Sequence, residues 1–327
     1  MKKYLLGTVL ALAIPGAAIP SAAMAADQCG EITMAEMNWS SAKIVVATSK
    51  FLLEQGYGCD VAVVPSDTTP AVTSLAENNE PDIVPELWPN SAGDVYDKLK
   101  EGGKIVELTS VLDPGGVEGW WIPSYLAEAH PELKTIDGIL ANPDLVGSMF
   151  NNCPDGWGCR TVSDNLARAF DLEGNGIKVF NHGSGETLAT SMASAFESKE
   201  PWFGYYWAPT TPLGKYDMVS VDLGEYDQAA HEANQNPDTP DPKPSAFPTA
   251  PILTIVTKDF NESHPKEAEL LSNVSFKTET MSSLLAWQDE NNATSEEAAV
   301  YFLQNNKDVW AGWLNDDAKE KLAKLLK

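Results

Sequence analysis

The sequence predicts an α/β protein of two lobes between which the chain passes twice. Three observations predict it. Short β-like runs alternate with helical ones from residue 30 onward, the pattern of a mostly parallel sheet covered by helices. About 300 residues remain after the leader, more than a single core commonly supports. The last long stretch is helical and follows a lone strand, which makes sense if the chain returns to its first lobe to pack there.

In chain order, strands are expected at 31–36, 60–64, 82–85 and 105–108. Between them, Ser40 to Gln55 opens on two N-cap-like serines and ends at Gly56, a helix with start and stop signals. Shorter helices follow at 69–78 and 91–101. The run Gly115-Gly116-Val117-Glu118-Gly119-Trp120-Trp121 leads into a second alternating series. That series has strands at 145–149, 177–180, 202–206 and 217–222, and helices at 160–171 and 184–198. Asn234 to Pro244, dense in Asn, Asp and Pro, reads as loop. Ala250 to Thr257 reads as a buried strand, and helices fill the remainder. The crossings then fall near 118–125 and 246–254, giving lobe 1 as 27–120 plus 250–327 and lobe 2 as 121–249. Two lobes joined by two strands form a hinge-bending architecture with its ligand site in the cleft.

Met1-Lys2-Lys3, the apolar run to Ala13 and the small residues ending at Ala26 read as a secretory signal peptide over 1–26. A free periplasmic protein is therefore expected. The formal net charge of −25 argues against nucleic acid or an anionic membrane as partner, and its simplest meaning is solubility. Four cysteines in an exported chain suggest two disulfides. Cys153 and Cys159 bracket a turn-rich segment, and Cys29 with Cys59 would close the first β-α-β unit. Their spacings are not those of a metal site.

Ten tryptophans is a high count, and several stand at strand ends rather than at core positions. Trp88 lies in Pro-Glu-Leu-Trp-Pro-Asn, Trp157 in the cysteine-bracketed turn, and Trp207 after Phe203-Gly204-Tyr205-Tyr206. Open α/β sheets place ligands at such ends. Indole faces carry negative quadrupole density and can surround a quaternary ammonium, each contact contributing roughly 0.5 to 2 kcal/mol.

Those segments resemble the periplasmic glycine betaine/proline betaine-binding proteins of ABC importers, over nearly the whole chain after the leader. Cys153-Pro154-Asp155-Gly156-Trp157-Gly158-Cys159 looks like the family's disulfide-closed tryptophan turn. Phe203 to Pro209 looks like its second cage strand, and Leu87-Trp88-Pro89-Asn90 like its first-lobe tryptophan. The resemblance implies the type II periplasmic-binding-protein fold, a three-tryptophan box of Trp88, Trp157 and Trp207, and a membrane permease as partner. It also implies that Gly158 and Cys159 offer backbone N–H groups to the ligand's anionic end, as helix N-termini do. One departure bears on ligand choice. Family members can carry a histidine four residues after the first cage tryptophan to hold a carboxylate, and here that residue is Ala92.

Two acidic residues, Glu86 and Glu118, flank tryptophan motifs instead, and either could reach the cleft; Glu118 is a candidate ligand contact, with a hinge or surface role as its alternative. The expected ligand is a trimethylated ammonium osmolyte of the glycine betaine type; a carboxylate near the cage would favour the alternatives, choline, or trimethylamine N-oxide if a proton is shared. Trp120-Trp121 should turn one ring toward the cleft by strand alternation, and Trp39 ends the first strand as a further wall. Trp202, Trp287, Trp310 and Trp313 read as packing. His130, His182, His231 and His264 pair with no cysteine or carboxylate at ligand spacing, so no metal or cofactor is expected. The Asn/Asp/Pro loop at 236–241 lacks the glycine and closing glutamate of a calcium loop. With no nucleophile–base pair in view, capture without catalysis by a monomer is expected, an exported enzyme acting on the same osmolytes being the alternative class.

Overall fold

A computed structural model describes residues 29–325; the signal-peptide reading of 1–26 lies outside the described residues. The strands are β1 Gly30–Met37, β2 Cys59–Ser66, β3 Ile83–Leu87, β4 Ile105–Pro123, β5 Met149–Asn152, β6 Lys178–Asn181, β7 Gly204–Ala208, β8 Met218–Ser220, β9 Thr249–Thr257 and β10 Phe276–Lys277. They follow the order β2-β1-β3-β9-β4-β7-β5-β6, with β8 and β10 also paired to β4.

Two lobes meet along this order. In lobe 1, β1 pairs in parallel with β2 from Gly30↔Cys59 to Met37↔Ser66, and β3 and β9 run antiparallel beside it. In lobe 2, β5 pairs in parallel with β6 and β7. The two are joined through β4, whose first half pairs with β9 and whose second half pairs with β7 and β8. Val117 sits at the exchange, opposite Thr249 on one side and Ala208 on the other.

The structure lengthens one predicted strand and moves another. Instead of stopping at 108, β4 runs on through the glycine-rich segment to Pro123, absorbing the irregular residues as register shifts against β9. The strand expected at 145–149 begins only at Met149. Pro143 opens a single 3₁₀ turn that ends at Gly147 in the left-handed region, φ 76°, so Val146 is buried from a turn and not from a strand.

Cys29–Cys59 joins the starts of β1 and β2, and Cys153–Cys159 closes the turn after β5. The C-terminal helices return to lobe 1: Ser295–Asn305 packs on Ser40–Leu52, and Asp316–Leu325 on the π-helical turn Leu53–Tyr57. Trp310, buried there with Trp313, donates its indole N–H to the Leu303 carbonyl at 2.7 Å. Both are packing residues of the tail.

Candidate functional site

Where the lobes meet, four indoles enclose a small cavity of about 30 Å³. Trp39 and Trp88 come from lobe 1, Trp157 and Trp207 from lobe 2, and all four are buried. Trp39 stands edge-on to Trp157 with centroids 5.6 Å apart, and Trp157 edge-on to Trp207 at 5.0 Å. Rings set at right angles form walls that turn their faces into a common space. Trp39, Trp88 and Trp157 each occupy the residue just before a helix, so the geometry of three helix starts aims them. Glycines clear their places. A Cβ at Gly116 would collide with the Trp88 ring, and one at Gly185 would lie 2.8 Å from Trp157.

Each half of the box is held differently. In lobe 1, Oε1 of the fully buried Glu86 accepts from Trp39 Nε1 at 2.6 Å, from Ser41 Oγ at 2.9 Å and from Trp88 Nε1 at 3.2 Å. Burial pushes the Glu86 carboxyl up, and those three donors pull it partly back. In lobe 2, Trp207 stacks on Tyr206 and Tyr205, with centroids 4.7 and 6.3 Å away. The Trp157 indole N–H reaches across the cleft to Asn38 Oδ1 at 2.6 Å. Asp67 lies nearby with its carboxyl raised by burial, an effect that the Trp157 N–H offsets.

Glu118, Ser91, Thr68, Tyr205, Gly158 and Cys159 complete the lining. Glu118 is opposite Trp207 in the β4–β7 ladder, which puts its carboxylate at the end of the box. Its oxygens accept from Tyr205 Oη at 2.5 Å, from Ser91 Oγ at 3.1 Å and from the Asn90 side-chain amide. Burial raises the Glu118 carboxyl above the usual range, against the opposing pull of these donors, and burial and Glu118 together raise the Tyr205 hydroxyl. No Lys, Arg or His is among the lining residues, so nothing basic neutralises Glu118 or stands ready for a ligand carboxylate. The donors available are the first-turn N–H groups of Gly158 and Cys159, which begin the helix Gly158–Ala169 and have no intrahelical acceptor.

The cavity therefore gathers Trp39, Trp88, Trp157, Trp207, Glu118, Gly158 and Cys159, and it leaves out Trp120 and Trp121. Both lie too far along β4 for strand alternation to bring either ring to the cleft. Trp120 shares a face with Glu118 but sits two residues, roughly 6.6 Å, deeper, where it packs on Phe150 and Phe203 with none of its surface exposed. Trp121 faces the other way and donates to the Tyr206 carbonyl at 3.1 Å. Tyr205, Ser91, Thr68 and Asn38 were not singled out from sequence. Tyr205 was within reach, since it is two residues before Trp207 and strand alternation puts both on one face. Ser91 ends the single turn Pro89–Ser91 that follows Trp88, and Thr68 opens the helix Thr68–Asn78 after β2, so both reach the box from lobe 1 itself.

The lobes are closed on each other. Thr69 N–H donates to the Gly156 carbonyl at 3.1 Å, Gly93 N–H to Gln235 Oε1 at 2.9 Å, and His231 Nε2 to the Asn90 carbonyl at 2.8 Å. Gly158 approaches the Ser91 carbonyl too closely to admit a side chain. The closed arrangement thus depends on glycine at the position where the helix start meets lobe 1.

A family model described as the substrate binding domain of an ABC-type glycine betaine transport system matches residues 30–305. The trimethylamine N-oxide-binding protein of Pelagibacter ubique is 23% identical over 320 residues, covering 94% of this chain and 98% of that protein. Among solved structures, the glycine betaine/L-proline-binding protein of Borrelia burgdorferi superposes with a TM-score of 0.74 at 17% identity, covering 89% of this chain and 99% of that one. An ABC-transporter choline-binding protein in complex with choline gives 0.73 at 20% identity, covering 91% and 99%. At such identities the structural likeness establishes the two-lobed type II fold.

Proposed function

The chain belongs to the family of substrate-binding domains of ABC-type glycine betaine transport systems, and from that premise we propose that it captures a compact trimethylated ammonium solute, trimethylamine N-oxide foremost. The observation that carries the choice is the pairing of Glu118 with a box that no basic side chain lines. A glycine betaine carboxylate would meet Glu118 with only two backbone N–H groups on its side. An N-oxide oxygen fits better: it accepts from the helix start at Gly158 and Cys159 and shares a proton with Glu118, whose burial favours holding one. The methyl groups then lie against four indole faces. The relative from Pelagibacter ubique supports the same choice.

Choline is the second reading, favoured if Glu118 is ionised. Its full positive charge would answer the carboxylate and its hydroxyl could donate to it. In either case the protein acts without catalysis, as a monomer in the periplasm freed of residues 1–26, and its closed form docks on an ABC permease. We place lobe 1 at 27–120 with 250–327 and lobe 2 at 121–249; the exchange of β4 partners at Val117 supports limits within a few residues of these.

Calorimetry with trimethylamine N-oxide, choline and glycine betaine tests the proposal. Submicromolar binding of the N-oxide with weaker binding of glycine betaine is expected. Tightest binding of glycine betaine would overturn the role given to Glu118, and no heat from any of the three would overturn capture itself.

A further inference from the structure

Glu86 has no part in the capture just described, yet it is the most deeply buried carboxylate beside the box. It sits on β3 with none of its surface exposed, and it does not line the cavity. One oxygen takes three donors, two of them the indole N–H groups of Trp39 and Trp88. The other, Oε2, is buried with no hydrogen-bond partner among the described residues. No basic side chain among the described residues offsets its charge. A buried carboxylate held this way is costly, and a glutamine would satisfy the same indole N–H groups with less desolvation.

A carboxylate does two things that an amide does poorly. Charge-assisted hydrogen bonds are shorter and stronger, so a single oxygen can hold two rings from separate elements at one fixed angle. Burial raises this carboxyl, but its three donors and a cation in the box favour the ionised form, and that negative charge polarises both indoles toward their faces and attracts the cation through a medium of low dielectric. Trp39 precedes the helix Ser40–Leu52, while Trp88 follows β3; Glu86 is their common anchor.

We propose that Glu86 is a positioning residue for cation capture: through the oxygen shared by Trp39 and Trp88 it fixes two walls of the box and strengthens their pull on a positively charged head, whatever the rest of the ligand. This rests on the capture reading, and it assigns to Glu86 the affinity for charge while Glu118 selects the tail.

The test compares wild type with Glu86→Gln in the full chain, using trimethylamine N-oxide, choline and the uncharged carbon isostere tert-butanol. Calorimetry follows the first two; quenching of tryptophan fluorescence at millimolar concentration follows the third. Affinity for whichever charged-head ligand wild type binds should fall about 10-fold, with tert-butanol changed less than about 2-fold. Unaltered affinity for the charged heads overturns the inference, as does an equal loss for tert-butanol, which would reduce Glu86 to ring packing. If Glu86→Gln does not fold, Glu86→Asp keeps the carboxylate but withdraws it from the indole N–H groups of Trp39 and Trp88 without altering either ring, and the same selective loss is expected of it. No binding of either charged-head ligand by wild type overturns the capture reading together with this one, whereas normal wild-type binding with an unchanged variant overturns this one alone.

Discussion

The two halves of the box differ in what holds them. Lobe 1 fixes Trp39 and Trp88 through Glu86, a residue of the same lobe, so that half is complete without its partner. Lobe 2 holds Trp207 by stacking on its own strand, but the N–H of Trp157 finds its acceptor, Asn38, only across the closed cleft. One half is preorganised and the other is finished by closure. Preorganised walls contribute affinity with little ordering cost; a wall completed on closure couples ligand binding to the shape that a permease would meet.

The sharpest way to break the contrast is to remove a wall from each side. Trp88→Ala and Trp157→Ala should each weaken binding of the preferred ligand about 100-fold, ~2.7 kcal/mol, by calorimetry. Their effects on closure should diverge. Small-angle scattering of the ligand-saturated protein should remain compact for Trp88→Ala and should shift toward an open envelope for Trp157→Ala. Identical envelopes would erase the distinction between the halves.

Glu118 sharpens the comparison at the point where both lobes contribute, with Asn90 and Ser91 from one side and Tyr205 from the other. Burial raises its carboxyl, so the free protein loses this proton only above the ordinary carboxylate range. In the proposed N-oxide complex one proton would lie between Glu118 and the ligand oxygen. Its affinity should therefore fall as pH rises through the raised pKa, because binding then requires proton uptake. Choline needs the ionised form, and its affinity should fall as pH drops through the same window. Titration calorimetry across pH reads the sign, and Glu118→Gln should flatten either slope while costing about 10-fold in affinity. A retained slope in that variant would assign the proton to another group.

The disulfides repeat the contrast between structure and site. Cys29–Cys59 spans 30 residues far from the box, and Cys153–Cys159 spans 6 around Trp157. By chain entropy the longer loop is stabilised more, about 3.6 against about 2.2 kcal/mol. Replacing the first pair by serine should lower the Tm and spare affinity; replacing the second should lower the Tm less and weaken binding about 5-fold, as the Trp157 turn loosens. Thermal melts with and without ligand separate the two outcomes.

Much of this was legible in the sequence because the relevant signals are local. Strand alternation, a serine-started helix and a glycine stop indicate the order of elements, while the cysteine-bracketed turn, proline-flanked Trp88 and the strand end at Trp207 point to three walls of the box. The misreadings share a cause: they depend on distance along a strand or on partners remote in sequence. Alternation says which face Trp120 takes but not how far beyond the crossing it lies, so a core residue looked like a wall. The length of β4 follows from pairing with β9, more than a hundred residues away, and no local pattern in Asp113-Pro114-Gly115-Gly116 announces a strand. Glu86 was visible beside Trp88, but its bond to Trp39 spans 47 residues and belongs to the folded sheet alone.

Asn38 offers the smallest and most discriminating test of the closure-dependent half. Its Oδ1 is the acceptor for Trp157 across the cleft, so Asn38→Ala removes an interlobe bond without touching a ring face. A typical hydrogen bond contributes about 1 kcal/mol, which would correspond to about a 5-fold loss. Asp67, however, stands near the same N–H with a buried Oδ1 that has no other partner among the described residues. A small turn of the indole would let that carboxylate take over, and a charged acceptor makes the stronger bond. The expected loss is therefore only about 2-fold for Asn38→Ala, rising to about 10-fold when Asp67→Ala is added. The loss should appear in the dissociation rate measured by stopped-flow tryptophan fluorescence, because the bond forms after the ligand has entered. Simple additivity of the two substitutions would show that Asp67 does not substitute for Asn38, and would leave the single amide as the hydrogen-bonded part of the link between Trp157 and lobe 1, beside the edge contact with Trp39.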